Sequence, residues 1–319
     1  MHFAIILNEF AGSGNAQNVW EKQIKPELEK GQVDYQVKST QHPGHAEYLA
    51  EQYIKYSTDH EHIVILVIGG DGTLHQALNG SMKATEGTNE KIPLAYIPAG
   101  SGNDFARGIK MSAKPLIALR QVLDCQKPNT IDIGNFSENI KNETGYFINN
   151  IGIGFDAAIV SRTNASAHKK SFNKFHVGSL SYMASIISVL YNQEPFQLMV
   201  RIGQHRDLYQ NAFLVTTSNH PYFGGGVRIL PNANVHSGEL ELIVIERKNW
   251  LILLWLGILL LFKRHLRSHW VHYYKAKEIQ VTTTSLEFGQ IDGEELGNRF
   301  YDLQMKISKY PFWIDTSIK

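Results

Sequence analysis

In 319 residues, 31 Lys and Arg face 30 Asp and Glu for a net charge of +1, and 43% of the chain is hydrophobic against 19% charged. This balance excludes a disordered chain and a basic polyanion-binding tail, and it argues against nucleic acid as the main partner. Cys125 is the sole cysteine, so no intrachain disulfide can form and a cytoplasmic setting is expected.

At roughly 150 residues per domain, the length predicts two domains. Residues 3–7 are an apolar run without a basic flank, which reads as a buried strand and not as a signal peptide. A helix is expected over 19–30. A second is expected around Ala46, Leu49, Ala50 and Tyr53, which share one helical face. Residues 63–68 are consecutive apolar positions ending in Gly69-Gly70, the pattern of a strand covered on both faces. Leu74, Ala77 and Leu78 mark a third helix, expected to stop at Asn79-Gly80, and 92–97 form a further strand stopped by Pro98. This alternation predicts an α/β domain with a parallel sheet over residues 1–128.

Past that point the rhythm changes. Strands are expected at 131–134, 146–152, 198–202, 212–217, 240–245, 278–283, 286–291 and 303–307, most separated by Gly, Asn or Pro. They predict a mostly antiparallel β domain over 129–319, interrupted by helices at 179–191 and 250–262. The uncharged run at 250–262 is too short to cross a bilayer as a helix, which takes roughly 20 residues. Lys263, Arg264, His265, Arg267, His269 and Trp270 follow it, a mixture suited to the headgroup layer. The expectation is a peripheral membrane contact over 250–270, with a buried core helix as the alternative. Edge strands in this half permit a homodimer.

The sharpest chemical signal is Gly69-Gly70-Asp71-Gly72-Thr73, where a buried strand ends and a helix begins. Open α/β sheets bind ligands at such places, and the glycines let backbone N–H groups approach phosphate oxygens. Asp71 beside a phosphate implies a bound cation or a proton transfer, unless it only caps the helix. One strand later, Pro98-Ala99-Gly100-Ser101-Gly102-Asn103-Asp104 repeats the arrangement. Ser101 and Asn103 can hydrogen-bond phosphate or ribose, and Asp104 offers a second carboxylate for a phosphate-bridging metal. Near the C-terminal end, Asp292-Gly293-Glu294 sets two carboxylates on one turn, a source of a general base. No Walker loop, dinucleotide fingerprint, zinc-spaced Cys/His set or Gly-x-Ser-x-Gly elbow is present.

Together these residues resemble the diacylglycerol kinase catalytic-domain family, which includes bacterial lipid kinases and the sphingosine and ceramide kinases. The resemblance extends from Gly69–Thr73 with Ala77-Leu78-Asn79-Gly80, through the second loop, to Gly224-Gly225-Gly226, Ser237-Gly238 and Asp292-Gly293-Glu294. It implies an NAD kinase/diacylglycerol kinase-like α/β domain, a β-sandwich lipid-substrate domain, ATP between them and a lipid hydroxyl as acceptor. Asn8, Gly12, Thr40, Gly69, Gly70, Asp71, Gly72, Thr73, Ser101 and Asn103 would bind the nucleotide. Asp71 and Asp104 would hold Mg2+ through water, and Asp292 or Glu294 would be the base, with Asp71 beside them in catalysis. Three departures stand out: Glu9 replaces a proline, His75-Gln76 replaces Asn-Glu, and Ser237 replaces the aspartate of a structural metal site. A soluble NAD kinase-like phosphotransferase is the first alternative reading, and an inactive lipid-binding module is the second.

Overall fold

The computed structural model describes residues 1–318 apart from 58, 89, 156, 162–189 and 191; the helix expected at 179–191 lies essentially outside the described residues. In the first half, β1 (His2–Leu7), β2 (Tyr35–Ser39), β3 (Ile63–Gly69) and β4 (Leu94–Pro98) pair in parallel in the order β4-β3-β1-β2. All seven residues of β3 are buried. Its unalternating apolar sequence follows from helices covering both faces of the sheet.

The crossover helices are α1 (Asn15–Val19), α2 (Lys25–Lys30), α3 (His45–Lys55), α4 (Asp71–Ala84), α5 (Asp104–Gly108) and α6 (Pro115–Leu123). A π-helical turn, Trp20–Ile24, joins α1 to α2. Pro26 follows at the head of α2, and the wider turn accommodates a residue that has no N–H to donate one turn back. The helix therefore starts earlier than the expected residue 19. Contrary to expectation, α4 does not stop at Asn79-Gly80. A Cβ at Gly80 would lie 2.1 Å from the Glu47 carbonyl oxygen, so this glycine permits the close approach of α3 and ends nothing.

The second half contains β5 (Asn129–Glu138), β6 (Glu143–Phe147), β7 (Asn150–Gly154), β8 (Phe196–Ile202) and β9 (His205–Ser218). The short hairpin of β10 (Tyr222–Phe223) and β11 (Val227–Arg228) follows, then β12 (Leu240–Glu246) and α7 (Trp250–Leu261). The chain ends in β13 (Val271–Ala276), β14 (Glu278–Thr283), β15 (Glu287–Ile291), β16 (Glu294–Arg299) and β17 (Asp302–Phe312). These strands form a β-sandwich whose pairings are all antiparallel within the half. Its core holds Phe147, Ile153, Leu198, Val215, Leu242, Ile279 and Leu303.

Three differences from the sequence reading matter. The strand expected at 146–152 is two strands, broken at Ile148-Asn149 where consecutive backbone N–H groups turn to the Asp292 carboxylate. β13 and β16 went unrecognised because their polar residues mask the alternation, β16 being an edge strand rich in charge. Finally, β17 runs past residue 307 and bridges to β4, so Tyr310, Phe312 and Ile314 belong to the core of the first half.

Candidate active site

Three loops converge at the carboxyl ends of β1, β3 and β4. Glycines allow the contact: a Cβ on Gly12 would sit 2.4 Å from the Ala99 carbonyl oxygen, and one on Gly100 would sit 2.5 Å from the Gly70 Cα. Gly12 also has a positive φ of 60°. The result is a cavity of about 500 Å³ lined by Asn8, Gly12, Thr40, Gly70, Gly72, Thr73, Ser101 and Glu294. Asn8 Nδ2 donates to Thr73 Oγ1 at 2.9 Å, joining the first loop to the head of α4. Phe10, Ala11, Gln41, His42, Pro43, Gln76 and Gly100 complete the lining. Sequence reasoning gave Phe10, Ala11, Gln41, His42 and Pro43 no role because outside a fold they are ordinary loop residues, whereas Gly100 belongs to the second glycine loop and Gln76 to α4.

Two of the expected nucleotide residues have other work. Gly69 lies within β3, its carbonyl accepting from Tyr96 Oη and the Ala99 N–H. Asn103, at a φ of 55°, bridges the Gly100 N–H, the Gly100 carbonyl and Tyr96 Oη, and so shapes the second loop from within.

Asp71 opens α4 and reaches across to the next helix. Its Oδ2 accepts the Asp104 N–H at 3.0 Å and its Oδ1 accepts the Phe105 N–H at 3.2 Å, so it caps the start of α5. Burial, reinforced by the charge of Asp104, pushes its pKa up to about 6. Asp104 is raised as well, chiefly by burial, although Arg107 Nη1 donates to it at 2.6 Å and the Gly225 N–H at 2.7 Å. Two crowded carboxylates of raised pKa are a hard-oxygen donor set that a divalent cation would relieve, so the pair fits magnesium. Among the described residues no group of three or more His, Cys, Asp or Glu forms a ready metal cluster. Ser237 instead organises a turn, its Oγ donating to the Glu239 carbonyl and accepting the Glu239 N–H.

The two carboxylates of the acidic turn differ sharply. Asp292 is buried, and its oxygens accept the N–H groups of Ile148, Asn149 and Asn150 at 2.8–2.9 Å and His75 Nδ1–H at 2.7 Å. These four contacts occupy the acceptor sites of a carboxylate. Glu294 accepts from Gln76 Nε2 at 2.6 Å and faces the cavity. Behind Asp292, His220 Nδ1 accepts the Tyr222 N–H, so its Nε2–H donates to Asn149 Oδ1 at 2.7 Å. Burial lowers the His220 pKa to about 4 and keeps it neutral.

A profile described as the diacylglycerol kinase catalytic domain matches residues 2–136, and one described as the YegS C-terminal NAD kinase beta sandwich-like domain matches 149–306. The chain is 33% identical over 302 residues to "Putative lipid kinase YtlR" of Bacillus subtilis, covering 93% of this chain and 94% of the relative. The chain belongs to the diacylglycerol kinase family. A second relative, "Probable lipid kinase YegS-like" of Chromohalobacter salexigens, is 30% identical over 57% of this chain and 53% of its own length. Among solved structures, that of "a putative diacylglycerol kinase" from Bacillus anthracis superposes with a TM-score of 0.77 at 22% identity, covering 100% of this chain and 96% of the other. That likeness shows the shared fold of this kinase family, an α/β domain followed by a β-sandwich.

Proposed function

We propose that this family member transfers the γ-phosphate of ATP to the hydroxyl of a lipid at a membrane surface. The cavity that gathers the three phosphate loops with Glu294 carries this reading, since phosphoryl transfer asks a protein for phosphate positioning, charge neutralisation and a proton acceptor. Gly70, Gly72 and the N-terminus of α4 present backbone N–H groups to the phosphates, and Asn8, Thr40, Thr73 and Ser101 supply side-chain partners. Asp71 and Asp104 would hold magnesium, which when bound would neutralise phosphate charge. Glu294 takes the proton of the acceptor hydroxyl as its oxygen bonds to the γ-phosphorus and the bond to the departing ADP breaks. Asp292, its acceptor sites already filled, orients the turn.

The membrane contact falls to α7. Trp250, Leu251, Leu254, Trp255, Ile258, Leu261 and Phe262 are exposed and occupy a stripe of roughly 140° at 100° per residue. Ile252, Leu253, Leu256, Leu259 and Leu260 face the opposite way and pack on Phe213, Ile229 and Leu230. The helix thus has a core side and an open apolar side, and Lys263, Arg264 and Arg267 stand exposed at its end. No helix among the described residues is long and apolar enough to cross a membrane. The open side and its basic end suit an interface helix docked on anionic lipid.

The test is transfer from radiolabelled ATP to a panel of diacylglycerol, phosphatidylglycerol, ceramide, sphingosine and a polyprenol. Labelled lipid phosphate from one or more of these is expected. Nucleotide binding with no labelled lipid across the panel would overturn the reading.

A further inference from the structure

Consecutive residues of α4 bind the two carboxylates of the acidic turn: His75 Nδ1 donates to Asp292 and Gln76 Nε2 to Glu294. The two bridges join the helix that carries the phosphate loop to a turn 217 and 218 residues away in sequence. They are unequal in environment. The Asp292 side chain is 0% exposed and that of His75 10%, whereas Gln76 and Glu294 line the nucleotide cavity. Asp292 also has a φ of 49°, a conformation disfavoured for a non-glycine residue and held here by its hydrogen bonds. Its three backbone partners are the two residues of the β6–β7 connection and Asn150 at the start of β7, and His75 supplies the partner from the first half.

We propose that His75 is a positioning residue, whose imidazolium, paired with Asp292, holds the acidic turn against α4 so that Glu294 faces the nucleotide. The proposal rests on the reading of Glu294 as the proton acceptor. Without the His75 donor, a buried charge loses its partner across the cleft, and the Gln76–Glu294 contact is left as the remaining bridge between helix and turn. His75 also lines a second cavity of about 630 Å³ beside Asn79, Lys83 and Tyr146, and this cavity shares no lining residue with the nucleotide cavity. The ring can therefore exchange its proton from the side away from ATP.

The groups facing His75 are Asp292 and Glu294 from the turn, Glu47 from α3 and Tyr146 from β6, with Lys83 further along α4. Burial alone would push the imidazole down, but the hydrogen bond to Asp292 and the negative charges of Asp292, Glu294 and Glu47 outweigh it and raise its pKa. A raised value means that the ion pair is complete below the ordinary histidine range and that its positive charge is lost as pH rises through the raised value, while the neutral ring keeps its Nδ1–H on Asp292.

Transfer from ATP to a lipid in mixed micelles, followed from pH 6 to 9.5, tests this with His75→Asn and His75→Leu. Asparagine keeps a donor near the Nδ1 position but does not titrate, so kcat should fall about 10-fold at low pH and the alkaline decline of the wild type should vanish. Leucine removes the donor and should lower kcat by about 100-fold, with the KM for ATP within about 2-fold in both variants. Because the leucine variant can fail to fold, the His75 ring of the whole protein is also titrated by NMR. Its midpoint should lie above the ordinary histidine value and should drop in Asp292→Asn. An asparagine variant with the wild-type pH profile, or a His75 midpoint indifferent to Asp292→Asn, would overturn the inference. A wild-type chain that phosphorylates no lipid would defeat the underlying reading and this inference with it, an outcome separable from the first two by the wild-type assay alone.

Discussion

Asp71 carries opposing demands. It caps α5 through two N–H groups, yet burial and Asp104 raise its pKa to about 6, so its ionised form is disfavoured in the fold. A carboxyl raised from 3.8 supports stability while protonated, and that support is lost as pH climbs through about 6. Asp71→Asn removes the charge but keeps an acceptor. We expect turnover to fall at least ~100-fold while the apo protein at pH 7.5 melts no lower than wild type, and activity within a factor of a few of wild type would remove Asp71 from the mechanism. The acidic turn yields a contrasting pair of outcomes. Glu294→Gln should cut kcat by about 10²–10⁴-fold with KM for ATP nearly unchanged and an unaltered melting temperature. Asp292→Asn should melt distinctly lower, because its amide cannot accept from three backbone N–H groups and His75 together. Equal thermal stability of the two variants would show that the carboxylates are not divided in this way.

At the scale of the element, α7 divides one apolar run between a packed side and an open side. Leu256 is 5% exposed and packs with Leu253 and Leu260 toward Leu230, while Leu251, Leu254 and Leu261 are 57%, 57% and 80% exposed. Replacing the second set by Ser should leave folding intact and sharply reduce flotation with anionic vesicles, since each fully buried leucine is worth roughly 1.5–3 kcal/mol. Activity on a short-chain, soluble acceptor should change little. Leu256→Ala should instead cost about 2–5 kcal/mol in urea unfolding, as expected for a cavity in a packed core. Vesicle binding by the outer-face variant at wild-type strength would end the docking proposal.

The whole molecule is tied together by its last strand. β17 pairs with β14 and β5 in the sandwich and ends beside β4, where Phe312 packs against Phe105 of α5 at a ring-centroid distance of 4.8 Å. Phe105 in turn donates its N–H to Asp71. Phe312→Ala should therefore cost about 3–5 kcal/mol in stability and also lower turnover, since α5 loses its backing. Unfolding and kinetics measured on one preparation check this, and wild-type turnover in a destabilised variant would separate the last strand from the site.

The elements that were legible in the sequence are those whose burial is local. The consecutive apolar residues of β3 could only be a strand covered on both faces, and the glycine-rich loop after it fell where a parallel sheet opens its strand ends. Gly12, Gly70, Gly72, Thr73 and Ser101 meet around one cavity, as neighbouring strand ends of a parallel sheet require. Periodicity was silent wherever a residue answers to a distant partner. Gly80 looked like a helix end until α3 lay on it, and 146–152 looked like one strand until Asp292 drew three N–H groups out of line. The division of labour between Asp292 and Glu294 was unreadable for the same reason. Two carboxylates on one turn are chemically alike in the chain, and only the tertiary fold buries one beneath four donors and opens the other to the cavity among the three loops.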